Sequence, residues 1–301
     1  MLSADNRIDR RDWSLLGLLS VLWGGSFFFN GVILRELPPL TLVLLRVALG
    51  AVVLLPLLRG YKIELPRGLS AWAPFFAIGL FNNVLPFSLI VMGQTHISSG
   101  LASILNATTP LFTVIVMAAA GEERLQVRRV AGVIVGLIGV AILHGDAFGF
   151  GTKQGIGILL CLAAAFSYGL AALVARRLPS RVPPLGTATF QMLASAAMMA
   201  VVAGVFDRPW QLHMPGTTTW LAVIGLATLS TALAYIVFFQ ILQRSGATNV
   251  MLVTLLIPVT AILLGYLVLG ERISTREVIG ALVIGSALIV IDGRVLTWAR
   301  R

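Results

Sequence analysis

The strongest constraint on this chain is a series of long apolar runs separated only by short polar breaks. A helix needs about 20 apolar residues to cross a bilayer, and these runs have about that length. None alternates apolar and polar residues over roughly ten positions, as a transmembrane strand does. The sequence therefore predicts an all-α integral membrane protein with ten transmembrane helices, over residues 13–34, 40–58, 72–92, 101–120, 127–143, 155–175, 187–206, 219–242, 250–270 and 278–291.

The composition agrees with a chain that lies almost wholly in the membrane. Hydrophobic residues make up 58% of the 301 residues and charged residues 11%, whereas a soluble chain carries about 25% charge. The first apolar run is too long for a signal-peptide core, so we expect no cleaved targeting segment. The loops between the runs are short, so we expect no soluble domain. The single cysteine, Cys161, excludes an intramolecular disulfide.

The positive charge is distributed in a way that indicates topology rather than nucleic-acid binding. With a cytoplasmic N-terminus, 16 of the 22 Lys and Arg residues lie in inside segments and five lie in outside loops. Because basic residues concentrate on the cytoplasmic side, both termini are predicted to be cytoplasmic. We expect attraction to anionic membrane lipids and no nucleic-acid partner.

An internal repeat is the most informative pattern in the chain. A shift of 148 residues places 99–144 on 247–292 without a gap, and Pro110 then meets Pro258. Each copy holds five spans, an odd number, so the two copies enter the membrane from opposite sides. Many alternating-access transporters are built from such inverted repeats. The predicted repeats are residues 1–148 and 149–301.

Three prolines interrupt predicted spans and are expected to act as bending points during gating. Proline donates no backbone hydrogen bond and displaces the carbonyl four residues earlier. A freed carbonyl in hydrocarbon costs several kcal/mol, so these faces should turn toward protein or a water-filled cavity. The three prolines with their freed carbonyls are Pro86 with Asn82, Pro110 with Asn106, and Pro258 with Thr254.

Polar and aromatic side chains share helical faces in several spans, at spacings of three and four residues. Such faces suit a cavity for a ligand that is partly apolar and partly polar. Packing between helices through Ser, Thr and Asn is the alternative, and the sequence leaves both open. The candidate binding residues are Trp23, Phe27, Asn30, Asn82, Asn106, Tyr168, Tyr235 and Thr254.

Charged groups are nearly absent from the middle of the spans. None of the 12 Asp and Glu residues, and no His, lies there, although proton-driven carriers usually place such groups within the bilayer. Proton coupling, intramembrane proteolysis and a metal or other cofactor are therefore not expected. Arg46 is the exception, about 10 Å inside span two. We expect its stem to snorkel to the outer surface, with a substrate carboxylate as the alternative partner.

Spans five and ten contain glycines and almost no polar side chains. Small residues at helical spacing allow close approach, so we interpret these spans as scaffold helices. They would pack against each other or against a second protomer, which leaves a homodimer open. Ser274 and Glu277 have the spacing of a capping box that opens span ten.

The segments LLSVLWGGSFFFNGVI, SSGLASILNATTPLFTVIV with GEERL, and SGATNVMLVTLLIPVTAILLGYLVLGERI resemble the EamA family of the drug/metabolite transporter superfamily. The resemblance extends over nearly the whole chain. It implies ten helices in an inverted five-plus-five repeat around a central cavity lined mainly by spans one, three, four, six, eight and nine. Within the family, the chain is most similar to the YddG-type amino-acid exporters of the bacterial inner membrane.

The resemblance implies export of aromatic and other neutral amino acids by alternating access. Aromatic rings would take the apolar side group, and Asn, Tyr and broken-helix backbone groups would take the ammonium and carboxylate. A drug or lipid exporter of the same fold is the alternative. A non-transporting scaffold would explain the glycines but not the repeat, and an enzyme would lack a catalytic set.

Overall fold

The computed structural model describes residues 9–123, 126–144, 152–177, 182–250 and 252–292. The predicted repeat boundary at 148 and both chain termini lie outside these residues. The described part of the chain is helical and contains no strand. Counting a helix that continues through a π-segment or a two-residue turn as one, the helices are α1 Arg10–Ile33, α2 Pro39–Gly60, α3 Leu69–Gln94, α4 Ser99–Ala119, α5 Val127–His144, α6 Lys153–Arg177, α7 Pro184–Phe206, α8 Thr217–Ala227 continued to Ala234–Val250, α9 Val253–Leu269 and α10 Thr275–Asp292.

Seven helices of the described residues, α1–α4 and α6–α8, are long and apolar enough to cross a membrane, and α9 is a shorter apolar helix. This confirms a multi-pass membrane protein. The largest departure from a predicted boundary is in α8, which does not end at Leu242 but continues to Val250. Residues 243–249 hold no proline that would end the helix, so the expected connection between spans eight and nine is itself helical.

Local sequence explains where several helices begin and end. Pro39 and Pro184 lie in the first turns of α2 and α7, where a missing N–H costs nothing. The predicted capping box at α10 is confirmed: Ser274 N–H donates to Glu277 Oε2 at 2.7 Å, and Glu277 N–H donates to Ser274 Oγ at 3.2 Å. α9 ends at Gly270, which has the positive φ of 69° that glycine tolerates best.

The scaffold helices α5 and α10 pack against each other. A Cβ added at Gly139 would lie 3.2 Å from the carbonyl oxygen of Gly280, and one added at Gly132 would lie 3.0 Å from that of Ala287. Only glycine allows the two backbones to come this close without displacing them. Of the two kinds of partner that the glycine pattern left open, the other scaffold helix is the one observed within this chain.

The remaining packing follows a regular scheme. α2 packs on α7, α1 packs on α8 and α9, and α6 packs on α3 and α4. The contacts are symmetric between the first five helices and the last five. When α1 is exchanged with α6, α2 with α7, and so on, the contacts of α1 become those of α6, and the α2–α7 and α5–α10 pairs are unchanged. One apolar core is built mainly from α1, α4, α6, α8, α9 and α10, with single residues from α3 and α5. A second is built mainly from α2, α3, α7 and α8, with Ile33 of α1, and Tyr168 packs against both. The place where the two cores meet holds the polar groups described next.

Candidate functional site

Two π-segments place polar side chains at the junction of the two cores. They are Leu80–Val84 in α3 and Thr228–Leu233 in α8, and their first residues are 148 positions apart, as the repeat requires. A π-segment inserts one extra residue into a helix, and such segments frequently occur at functional sites. The first segment carries Asn82 and Asn83, and the second carries Thr231.

The hydroxyl group of Tyr235 is the centre of this polar cluster. It accepts from Asn82 Nδ2 and Gln191 Nε2, each at 3.3 Å, and donates to Asn83 Oδ1 at 3.4 Å. Asn83 is completely buried, and its Nδ2 donates to Ser195 Oγ at 3.0 Å. The three bonds to the tyrosine are longer than the usual 2.7–3.2 Å. The cluster is therefore assembled but only loosely bonded.

Arg46 lies at the same junction, and the prediction that it snorkels to the outer surface was wrong. Its side chain is 7% exposed, and its Nε donates to Thr231 Oγ1 at 3.2 Å. The guanidinium carbon lies 3.7 Å from the ring centroid of Phe87, a cation–π geometry. Tyr168 and Tyr235 pack against the same core that contains Phe87. Hydroxyl and aromatic groups in the interior thus hold the side chain that the sequence assigned to the surface.

A series of ring contacts joins Trp23 to this cluster. Trp23 and Phe238 have centroids 5.5 Å apart, Phe238 and Phe239 5.2 Å, and Phe239 and Tyr235 6.1 Å. Phe27, one turn beyond Trp23 on α1, is buried in the first core. The polar cluster is thus continuous with an aromatic wall formed by α1 and α8.

Other predicted residues lie apart from Tyr235. Asn30 is buried near the C-terminal end of α1, where its Nδ2 donates to Gln94 Oε1 at 2.8 Å. Asn106 ends the first segment of α4, and its Oδ1 is buried with no hydrogen-bond partner among the described residues. Thr254 lies in the first turn of α9 and is half-buried. The structure thus brings Asn82, Tyr168 and Tyr235 together, and it distributes the others along α1, α4 and α9.

The three prolines occupy different local structures. Pro86 follows the π-segment of α3 directly, and Pro110 opens the second segment of α4 after the turn at residues 107–108. There the carbonyl of Asn106 accepts from the Thr109 hydroxyl at 2.7 Å, which satisfies the freed group. Pro258 lies inside an uninterrupted segment of α9. The regular α-helix is therefore interrupted before Pro86 in α3 and before Pro110 in α4, whereas it continues through Pro258 in α9.

Sequence reasoning missed several members of the cluster as site residues: Asn83, Gln191, Ser195 and Thr231. The signal that would have found Gln191 is the repeat itself, since an offset of 145 residues makes it the counterpart of Arg46. Thr231 is likewise the counterpart of Asn83 at an offset of 148. Choosing polar residues that occupy equivalent positions in the two copies would have identified more members of the cluster than choosing polar residues on one face of each helix.

Carboxylates hold the outer ends of the helices together, taking the predicted topology for inside and outside. Asp207 Oδ2 accepts from Thr41 N–H at 2.7 Å, and Glu36 Oε2 accepts from Gly216 N–H at 2.7 Å. Glu271 accepts from the N–H of Ser99 at 2.9 Å and that of Gly100 at 3.3 Å. Each carboxylate bonds the N-terminal end of a helix, where the helix dipole favours negative charge.

Arginine–carboxylate pairs hold the opposite ends. Glu122 bonds Arg177 Nε at 2.8 Å and lies 3.3 Å from Arg176 Nε, which ties the end of α4 to the end of α6. Arg244 of α8 bonds Asp12 of α1 at 3.0 Å. Hydrogen bonding and positive charge from Arg177 and Arg176 lower the pKa of the Glu122 carboxyl below its ordinary value, although partial burial opposes them.

Comparison with known proteins gives a consistent result. The model of the EamA-like transporter family matches this chain twice, at residues 12–144 and 155–291. A probable amino-acid metabolite efflux pump of Escherichia coli is 28% identical over 94% of this chain and 95% of its own length. The uncharacterized transporter YoaV of Bacillus subtilis is 24% identical, with coverage of 90% and 93%. A crystal structure at 22% identity covers 96% of this chain and 99% of its own, with a TM-score of 0.67.

The two matched segments together span most of the chain, and the relatives match along nearly their whole length. These relatives are transporters or efflux pumps rather than enzymes. This chain belongs to the EamA-like transporter family and is a membrane transporter.

Proposed function

We propose that this transporter exports small amphipathic metabolites, foremost aromatic and other neutral amino acids, across a bacterial inner membrane. The observation that carries the proposal is the loosely bonded polar cluster around Tyr235, placed beside the aromatic wall from Trp23 to Phe239. A neutral amino acid has the matching chemistry, since it joins an apolar side group to a polar, doubly charged end. The Escherichia coli relative, a probable amino-acid metabolite efflux pump, supports the same substrate class.

The bonding state of the cluster favours ligand exchange. Long hydrogen bonds such as those of Asn82, Gln191 and Asn83 to Tyr235 are weak and are given up at small cost. Apart from the cluster, on α4, Asn106 has a buried amide oxygen with no partner among the described residues, and a buried unsatisfied acceptor costs about 1–3 kcal/mol. A substrate ammonium near Asn106 would remove that cost. The aromatic rings would take the side group.

We infer an inverted repeat of two five-helix units, residues 1–148 and 149–301, with both termini cytoplasmic. The double match of the family model and the exchange symmetry of the helix contacts support the repeat. The charge asymmetry of the loops supports the orientation. We further propose that the exposed faces of α5 and α10 contact membrane lipid or a second protomer.

Contacts that close both ends of this arrangement support alternating access as the mechanism. Outer bonds such as Glu271 to Ser99 and inner pairs such as Glu122 with Arg177 each join one proposed repeat to the other. Opening toward one side requires breaking one set while keeping the other. Pro86, Pro110 and Pro258 are proposed as the bending points of this motion.

The test is counterflow of labelled phenylalanine in proteoliposomes, with unlabelled competitors. Methionine and leucine are expected to compete, whereas a hydrophobic cation and a short-chain lipid are not. Asn106→Ala is expected to lower uptake without lowering the amount of protein in the membrane. Competition by the cation or the lipid alone would contradict amino-acid export and would favour a drug or lipid exporter of the same fold.

A further inference from the structure

Arg46 is a buried positive charge that has no negative partner among the residues that the structure describes. It is 7% exposed. Among the described residues, the arginine–carboxylate pairs within 4.0 Å lie at helix ends and in loops, and none includes Arg46. Moving an unpaired ion out of water is strongly unfavourable, and an arginine stays protonated at any physiological pH. Such a charge inside a membrane protein calls for a functional explanation.

The bonds that Arg46 does make leave most of its donors unused. A guanidinium has five N–H donors, and only Nε has a hydrogen-bond partner among the described residues, Thr231 Oγ1. Thr231 itself donates to the carbonyl oxygen of Leu226 at 2.9 Å, so it does not depend on Arg46. Phe87 covers one face of the guanidinium. The two terminal nitrogens are therefore the free part of the group.

The arrangement of the neighbours limits what can bind there. The planar fork of a guanidinium matches a carboxylate through two parallel bonds. The hydroxyl of Tyr235, one turn after Thr231 on α8, already donates to Asn83 Oδ1, so the terminal nitrogens of Arg46 are the donors that remain for a ligand. The nearby amides of Asn82 and Gln191 carry no charge. Within the described part of the chain, the site thus offers positive charge and free N–H donors, and no carboxylate lies within 4.0 Å of the guanidinium to attract a cation.

We propose that Arg46 is the carboxylate anchor of the transport site, so that the substrate must carry a free carboxylate. The proposal rests on the transport function proposed above and assigns the substrate's carboxylate to the first repeat. Gln191, the counterpart of Arg46, carries no charge. The second half of the molecule therefore has no equivalent anchor at this position, and the site holds its substrate in one orientation.

The test compares phenylalanine with phenylalaninamide and phenylpropionate, three ligands that share the ring and differ in their charged groups. Binding is measured as thermal stabilisation of the purified protein in nanodiscs, which does not require transport. The free energy of hydrogen bonds to a charged group corresponds to a roughly 10- to 100-fold difference in affinity between a ligand that has the carboxylate and one that lacks it. The wild type should therefore bind both carboxylates roughly 10- to 100-fold more tightly than the amide.

Two variants separate a binding role from a structural one. In Arg46→Met the preference for carboxylates should fall to near unity, while the unliganded protein stays at least as stable as the wild type, because an unpaired buried charge has been removed. Arg46→Lys should keep part of the preference, since it retains charge but not the fork. Arg35→Gln, at an exposed arginine, is the matched control and should change nothing.

The outcomes distinguish failure of the carboxylate anchor from failure of the proposed amino-acid substrate. Binding of phenylpropionate but not phenylalanine, dependent on Arg46, would uphold the anchor and contradict the choice of amino acids as substrates. Equal binding of the carboxylates and the amide by the wild type would overturn the anchor. A preference that survives in Arg46→Met, or no stabilisation by any carboxylate, would overturn it as well.

Discussion

Removing the charge of Glu271 should loosen the outer end of the transporter. Its carboxylate accepts from two backbone N–H groups at the start of α4, at 2.9 and 3.3 Å, and so joins the α9–α10 connection to α4. Glu271→Gln keeps one acceptor oxygen but loses the second acceptor and the attraction of the helix dipole. From typical values for such bonds, the cost is about 1–2 kcal/mol. That free energy corresponds to a roughly 5- to 30-fold shift toward the outward-open arrangement.

The shift is measurable with a cysteine reporter at residue 104. Ile104 is 1% exposed and lines the shallow cavity beneath Glu271, so Ile104→Cys reports on opening between α4 and α9. The native Cys161 is completely buried and gives a silent background. In nanodiscs, maleimide should label the reporter roughly 5- to 30-fold faster when Glu271→Gln is present.

The matched control is Glu277→Gln. Glu277 lines the same cavity, but among the described residues its carboxylate bonds the N–H of Ser274, in the capping box of its own helix, and no group of α4. Its removal should therefore leave labelling of the reporter unchanged. Equal labelling rates with and without Glu271→Gln would refute the idea that this carboxylate holds the outer end closed.

Three further perturbations test other parts of the molecule. Tyr235→Phe removes the hydroxyl at the centre of the cluster and should lower kcat/KM for phenylalanine by roughly 5- to 30-fold at unchanged expression; unchanged kinetics would exclude the hydroxyl from the site. Gly139→Val should lower the free energy of unfolding by about 1–3 kcal/mol, because it overpacks α5 against α10. Gly285→Val should not, because an added Cβ there meets nothing within 4 Å. Equal unfolding temperatures of the two variants would contradict this packing. Because the pKa of the Glu122 carboxyl is lowered in the folded protein, its contribution to stability is fully present above the ordinary carboxyl pKa of about 4.3 and is lost as the pH falls through the folded-state pKa. The difference in thermal stability between wild type and Glu122→Gln should therefore vanish well below about pH 4. A difference that persists to about pH 2 would argue against the ion pair.

Much of the helical framework follows from the sequence because it depends on patterns that are local. Apolar length identified the spanning helices, and Ser274 with Glu277 identified a capping box. Glycine spacing identified α5 and α10 as scaffold helices but left open whether they pack against each other or against a second protomer. Asn82 and Tyr235 stood out because amide and phenol groups are expensive to bury in a membrane unless they find partners. These features depend on residues within one or two helical turns.

The rest depends on partners that are far apart in the chain. A π-segment is a one-residue change of helical register and has no composition of its own, so the segments that present Asn83 and Thr231 were not foreseen. Arg46 was expected at the surface because a long stem can reach it, but Thr231 and Phe87 hold it inside. Such choices are made by tertiary contacts between different helices, which a single run of sequence does not display.

Uptake of labelled phenylalanine by proteoliposomes, with and without an imposed pH gradient, is the most direct test of the account. The described helices carry no acidic residue in their central turns. The account therefore predicts saturable uptake that is the same in the two conditions. Absence of saturable uptake would contradict amino-acid transport, and uptake only in the presence of the gradient would contradict a carrier that works without protons.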